Sequence, residues 1–158
     1  MKQIEAVLEL ISDDSASKFV FVDDGEVGSL IEQYKNSEEM ALLWSSIRRF
    51  TLFNQCDYEF NLYELSEFVA YQDAYFGGVI CDDKRIVSDT WVIIGEYTAD
   101  DVFCIEPETG KCFACSFGFP PVGFSHSLSE GLEKIFLAGG DSIAWLEESF
   151  VPAFEICK

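Results

Sequence analysis

Hydrophobic positions recur at helical spacing at the start of the chain. Four apolar side chains fall at i, i+3, i+4 and i+7, namely Ile4, Val7, Leu8 and Ile11. This stripe predicts a short amphipathic helix that ends by residues 12–14. The spacing returns from Met40 to Ile47, behind Ser37 as an N-cap and two acids, and predicts a helix over residues 38–50.

Two further helices are predicted, one from a weak repeat and one from a capping signature. Residues 62–69 repeat at helical spacing less regularly, which indicates a helix toward Asp73. Ser127 and Glu130 have the spacing of a capping box, in which the serine and glutamate side chains satisfy reciprocal backbone N–H groups. Together with the apolar stripe that follows, they predict a helix over residues 128–136.

The pattern changes in the second half of the chain, where short runs of β-branched and aromatic residues replace the helical stripe. Three such runs predict an antiparallel meander: residues 91–95, 102–105 and 111–115. Turn-forming residues separate them at 98–101 and 107–110, the second with Pro107 preset for a turn and Gly110 free to adopt positive φ.

Two other segments are candidates for extended structure. Residues 18–22 are stopped by an acidic turn, and residues 79–81 precede another. No repeat, low-complexity tract or linker divides the chain. We therefore expect a single α+β domain over residues 1–158, with a twisted antiparallel sheet of about four to six strands packed by helices.

Charge sets this chain apart from an average domain of its size. Of its 158 residues, 29 are Asp or Glu and 10 are Lys or Arg, which gives a net charge of −19. Nucleic acid is an improbable partner, because phosphate binding requires clustered cations. A basic protein is the natural suggestion, although surplus carboxylates also keep an apolar, aromatic-rich chain in solution.

The apolar runs and the cysteines indicate the cellular compartment of the protein. The first residues lack the apolar run of a secretory signal, and no stretch approaches the length of a membrane span, so we expect a cytosolic protein without membrane association. In a reducing compartment a chain of this length does not need disulfides. The six cysteines are therefore predicted to be free thiols, mostly buried.

Several residues suggest chemistry, but each has a simpler structural explanation. Cys112 and Cys115 have C-x-x-C spacing, yet in a strand their side chains point to opposite faces and cannot share one metal. His126, the single histidine, stands at a helix entrance without a nucleophile motif. The Asp pairs at 82–83 and 100–101 are explained by hairpin turns, although they leave metal-assisted hydrolysis as an alternative. We expect no catalytic residue, metal or cofactor.

The second half of the chain resembles the SUKH superfamily. The resemblance rests on the strand and Ile-Gly pair in residues 91–97, the acidic turn 100–101, the strand 102–105, the turn 106–111 and the helix 128–136. Residues 60–68 are similar to the family's preceding strand-then-helix step, so that the resemblance is strongest over 58–138. The family's N-terminal signature, a Leu-Pro pair before a helix ending in Asn-Gly-Gly, is not found, since Asn54 is followed by Gln55 and Cys56.

The resemblance implies a non-enzymatic α+β binding domain. Bacterial members of the family are immunity proteins that neutralise toxins, often nucleases or deaminases, and fungal relatives regulate cell-wall assembly. An acidic inhibitor can occupy the cationic groove of such a toxin, with carboxylates steering encounter and aromatic rings supplying buried area.

The sequence thus predicts an acidic immunity protein with a basic toxin domain as its partner. The predicted partner-binding residues are acids at the hairpin turns and nearby aromatic rings: Asp82, Asp83, Glu96, Tyr97, Asp100, Asp101, Glu106, Glu108, Phe117 and Phe119. A regulatory or scaffold module is the first alternative. It would tolerate charge reversal at the turns and depend on an exposed apolar patch.

Overall fold

The structure is a computed structural model. It describes the following residues: 3–14, 17–21, 32–34, 37–70, 80–81, 84–85, 90–97, 101–116 and 121–145. Within this part of the chain, three α-helices are present: α1 (Gln3–Ser12), α2 (Glu38–Ser46) and α3 (Leu128–Ala138). Single turns of 3-10 helix cover Glu32–Tyr34 and Leu65–Glu67. None of the described helices is long and apolar enough to cross a membrane.

Ten strands are assigned in the described residues, and they pair antiparallel throughout. They are β1 (Lys18–Phe21), β2 (Ile47–Leu52), β3 (Phe60–Leu62), β4 (Val69–Ala70), β5 (Ile80–Cys81), β6 (Lys84–Arg85), β7 (Val92–Tyr97), β8 (Asp101–Ile105), β9 (Cys112–Ser116) and β10 (Val122–Ser125).

The main sheet has eight strands. Seven of them follow the order β1-β2-β3-β7-β8-β9-β10, and the eighth, β4, pairs with the first residues of β7. Strands β5 and β6 form a separate hairpin. The predicted α+β class is confirmed, and so are the meander β7-β8-β9 and the helices over residues 4–11 and 128–136.

The sheet separates two clusters of buried side chains. The larger lies between one face of the sheet and the three helices, and its largest fully buried members include Trp44, Phe50, Phe60 and Phe103. The smaller cluster is confined to strands β7, β8 and β9 and to Trp91, which precedes β7. Its members are Trp91, Ile93, Val102, Cys104, Phe113 and Cys115. Alternation along the strands produces this division, since successive side chains point to opposite faces.

The helix predicted over residues 38–50 is confirmed over residues 38–46 and wrong over residues 47–50. Helix α2 ends at Ser46, and the backbone at Ile47 is already extended, with φ −127° and ψ 133°. Residues 47–52 then form β2, which is paired on both sides, with β1 and β3. The spacing of Ile47 fits either structure, and pairing with two neighbouring strands favours the extended one.

The helix predicted toward Asp73 is also wrong over residues 62–70, and residues 71–73 lie outside the described part of the chain. Residues 60–62 are strand β3, because they bridge β2 and β7 in the sheet. A single 3-10 turn and the two-residue strand β4 follow. These added strands make the sheet larger than predicted.

Candidate functional site: a cleft beside the β8–β9 turn

The turn between β8 and β9 is a compact, internally bonded loop. The backbone N–H of Glu106 donates to the Lys111 carbonyl at 2.9 Å, and that of Gly110 donates to the Glu106 carbonyl at 2.9 Å. Gly110 has φ +76°, which only glycine adopts readily. The Thr109 hydroxyl donates to the Glu106 carboxylate at 2.8 Å. The predicted turn is confirmed, and Glu106 is committed to holding it.

The first turn of α2 lies against the start of α3. Glu39 Oε2 accepts a hydrogen bond from the Ser129 backbone N–H at 3.1 Å, and Oε1 accepts one from the Ser129 hydroxyl at 2.5 Å. Ser129 is completely buried. The carboxylate therefore serves as a cap supplied by a different helix, and it fixes the N-termini of α2 and α3 side by side.

Helix α3 begins with half of the predicted capping box. The Ser127 hydroxyl accepts from the Glu130 N–H at 3.2 Å, as predicted. The Glu130 carboxylate, however, accepts from the backbone N–H of His126 at 2.9 Å and not from that of Ser127. A further ion pair at 3.4 Å joins Glu130 to Lys134 one helical turn on. His126 itself is exposed at the helix entrance.

These three elements enclose a cleft at one end of the sheet. It has a volume of about 210 Å³, and its polar walls come from the start of α2, the β8–β9 turn and the entrance to α3, while Ile105, Pro107 and Leu128 supply apolar surface. A second cavity of about 290 Å³ adjoins it and shares Ser37, Pro107 and Glu108. Tyr34 lines the second cavity, and burial raises the pKa of its phenol.

The cleft is acidic. Glu38, Glu39 and Glu108 line it, and no lysine or arginine is present among its described lining residues. Glu39 is bonded to Ser129, but Glu108 is exposed and forms no hydrogen bond or ion pair with the residues that the structure describes. Apolar walls beside carboxylate groups are suited to a cation with an aliphatic stem.

The predicted site residues do not gather in one place. Glu106 and Glu108 belong to the β8–β9 turn, next to the cleft. Asp101 lies at the other end of β8. Five residues of extended chain separate it from the turn, which corresponds to about 17 Å. Glu96 is paired with Val102 near that same end. Five predicted residues lie outside the described part of the chain: Asp82, Asp83, Asp100, Phe117 and Phe119.

The structure corrects the prediction that Tyr97 contacts a partner. Its side chain has no exposed surface, and its ring meets those of Phe60 and Trp145 at centroid distances of 5.1 and 4.8 Å. Burial raises the pKa of its phenol. A core position explains this aromatic residue, and it does not belong to a surface that contacts a partner.

At the end of the sheet opposite the cleft, the acids are bonded to hydroxyl groups. The Ser116 hydroxyl donates to the Asp101 carboxylate on the neighbouring strand. The Tyr63 hydroxyl donates to the Glu96 carboxylate at 2.8 Å. Burial raises the pKa of Tyr63, and the hydrogen bond to Glu96 raises it further. Each of these two carboxylates thus stabilises the sheet around it.

The C-x-x-C pair is split between the two faces of the sheet, as predicted. Cys112 belongs to the larger cluster and Cys115 to the smaller one, so the two thiols face away from each other. Burial raises the pKa of the Cys112 thiol and keeps it protonated. Among the described residues, no group of three or more His, Cys, Asp or Glu side chains has the arrangement of a metal site.

Sequence reasoning missed two residues of the cleft and one residue of the adjoining cavity. Ser37 and Glu39 were assigned only to the start of a helix, and Tyr34 was not considered. These residues come close to residues 107–110 only because of how α2 packs over the sheet. The spacing of residues in the sequence does not predict that packing.

Comparison with family models, with curated proteins and with solved structures gave no match to this chain. The resemblance to the SUKH superfamily therefore remains a prediction.

Proposed function

We propose that this chain is a non-catalytic binding protein for a basic protein partner. The observation that carries the proposal is the cleft beside the β8–β9 turn, which is lined by Glu38, Glu39 and Glu108 and has no lysine or arginine among its described lining residues. The net charge of −19 adds a long-range field that attracts a cationic surface and speeds encounter.

The partner that we propose is a toxin domain in the cytosol. This step rests on the resemblance of residues 58–138 to SUKH immunity proteins together with the charge of the chain. A toxin that acts on nucleic acid needs a cationic groove, and an acidic protein that fills the groove excludes the substrate without chemistry of its own.

The test is inhibition of the basic domain encoded beside this chain. Co-expression of the two should restore growth of cells that the domain alone arrests. Calorimetry on the purified pair should give an affinity that falls steeply as salt is added, because exposed charges are screened. A neighbouring frame without such a domain, or an affinity insensitive to salt, would contradict the proposal.

Charge reversal locates the binding surface. The double variant Glu38→Lys with Glu108→Lys should weaken binding about a hundredfold, because like charges then face the cationic partner. The matched control is Glu9→Lys with Asp13→Lys, which makes the same change in net charge at exposed residues of the N-terminal helix and the turn after it. It should weaken binding by about threefold or less, since it acts only through the general field.

The same assay distinguishes the scaffold alternative. Phe21 and Leu137 are 67% and 70% exposed, and both lie away from the cleft. If Phe21→Ser or Leu137→Ser abolishes binding while the cleft reversal is tolerated, an apolar docking surface is responsible and the proposal of an acidic one is wrong.

A further inference from the structure

Ser37 occupies the N-cap position of α2 without acting as a cap. Its backbone is extended, with φ −100° and ψ 96°, as in ordinary N-caps, yet its side chain makes no capping hydrogen bond. An N-cap serine normally accepts from the backbone N–H two or three residues on, which stabilises the helix by about 1 kcal/mol. Helix α2 lacks that contribution from Ser37.

The Ser37 side chain is also buried. The residue is only 8% exposed, and its hydroxyl forms no hydrogen bond with any residue that the structure describes. Its hydroxyl oxygen is not among the described side-chain atoms that are closed off from solvent without a partner, so it can bond to water or to a ligand in the cleft. Because Ser37 borders both cavities, the group is placed where a ligand could satisfy it.

The surroundings of Ser37 narrow the chemistry of that ligand. Glu108 borders the same two cavities and contributes a carboxylate without a described partner. Pro107, in the β8–β9 turn, adds an apolar surface shared by both cavities. The site therefore offers one hydroxyl acceptor, at least one negative charge and an apolar wall within about 210 Å³.

We propose that the cleft bordered by Ser37 and Glu108 binds an arginine side chain of the basic partner. This inference rests on the proposed function and names the group that the partner inserts. An arginine has an aliphatic stem for the apolar wall and a planar head with five N–H donors in a fixed fork. One head can donate to the Ser37 hydroxyl and to a carboxylate together, whereas a lysine ammonium is a compact, strongly hydrated point charge.

The probe is acetyl-arginine N-methylamide, titrated into the full chain labelled with ¹⁵N. Saturable shifts are expected at backbone amides around the cleft, in residues 37–39, 108–110 and 126–128. Acetyl-citrulline N-methylamide has nearly the same shape without the charge, and acetyl-lysine N-methylamide has the charge without the fork. Both should bind at least fivefold more weakly than the arginine probe. Shifts spread over the whole acidic surface, or equal affinity of the arginine probe and either control probe, would overturn the inference.

Two variants test the named atoms. Ser37→Ala should weaken arginine binding about fivefold by removing one hydrogen bond, and Glu108→Gln about tenfold by removing a charge-assisted one. Ser45→Ala and Glu9→Gln are matched controls at exposed positions outside the cleft, and neither should change the affinity. A thermal unfolding curve for each variant confirms that the protein is folded. An unchanged affinity in folded Ser37→Ala would contradict the role of the hydroxyl.

The outcomes separate this inference from the proposed function. If the arginine probe fails to bind while reversal of Glu38 and Glu108 still abolishes partner binding, the partner docks by charge alone and the arginine pocket is wrong. If the probe binds in the cleft but no basic toxin domain is inhibited, the proposed function fails and the pocket remains.

Discussion

The two ends of β8 carry the same kind of side chain and use it differently. At the Asp101 end, the carboxylates of Asp101 and Glu96 accept hydrogen bonds from Ser116 and Tyr63. At the Glu106 end, one carboxylate braces a turn, another caps a neighbouring helix, and Glu108 is left without a described partner. An acidic sequence motif therefore does not by itself identify a binding surface, because some of its carboxylates stabilise the fold.

The largest effect on stability is expected for Glu39→Ala, at the cleft end. The variant leaves the buried hydroxyl and amide of Ser129 without their acceptor, and we expect the free energy of unfolding to fall by about 2–3 kcal/mol. Chemical denaturation measures the change, with the exposed Glu9→Ala as a control that should stay within about 0.5 kcal/mol. A loss as small as that of the control would mean that Glu39 does not stabilise the fold.

A smaller loss is expected for Tyr63→Phe, at the Asp101 end. Removing the hydrogen bond to Glu96 should lower the free energy of unfolding by about 1 kcal/mol near neutral pH. Because the pKa of Tyr63 is higher in the folded state than its ordinary value of 10.0, the unfolded chain loses that proton first as pH rises.

The tyrosine contribution is thus complete below pH 10 and is lost as the solution becomes more alkaline. The free energy of unfolding of the unaltered protein should decline above that pH, and the decline should be less steep in Tyr63→Phe. Part of the alkaline decline should persist in Tyr63→Phe, because the pKa values of Tyr34 and Tyr97 are also raised by burial. Identical slopes in the two proteins would show that the Glu96 contact does not hold the phenol protonated.

The smallest effect on stability is expected for Glu108→Gln. An exposed carboxylate without a described partner contributes nothing specific to the fold, so the free energy of unfolding should stay within about 0.5 kcal/mol of the unaltered value. The same variant is expected to weaken binding of arginine. Loss of stability comparable to that of Glu39→Ala would erase the distinction between the fold-stabilising acids and the acid left for a partner.

Local patterns in the sequence were sufficient for the elements that form from neighbouring residues. The stripe of Ile4, Val7 and Ile11 gave α1, and the turn ending at Gly110 gave the β8–β9 hairpin. Strand alternation also placed Cys112 and Cys115 on opposite faces. Each of these depends on periodicity or on a single backbone conformation.

Elements decided by distant partners could not be predicted in this way. Ile47 continues a helical stripe in the sequence, but the pairing of residues 47–52 with β1 and β3 makes this segment a strand. The cleft depends on the same kind of contact, since Glu39 and Ser129 are 90 residues apart. Glu106 and Glu108 were predicted from their turn, whereas the serine opposite them required the packed structure.

The direct passage from α2 into β2 has a consequence for how this surface can change. With no loop between Ser46 and Ile47, inserting a single residue would turn the helix by about 100° and send Phe50 to the opposite side of the pleated strand. Descendants of this chain can thus alter the junction between α2 and β2 by substitution but not by changes of length. An insertion in the β8–β9 turn opposite would disturb the turn's own hydrogen bonds but leave β8 and β9 paired in register, so changes of length there can diversify recognition.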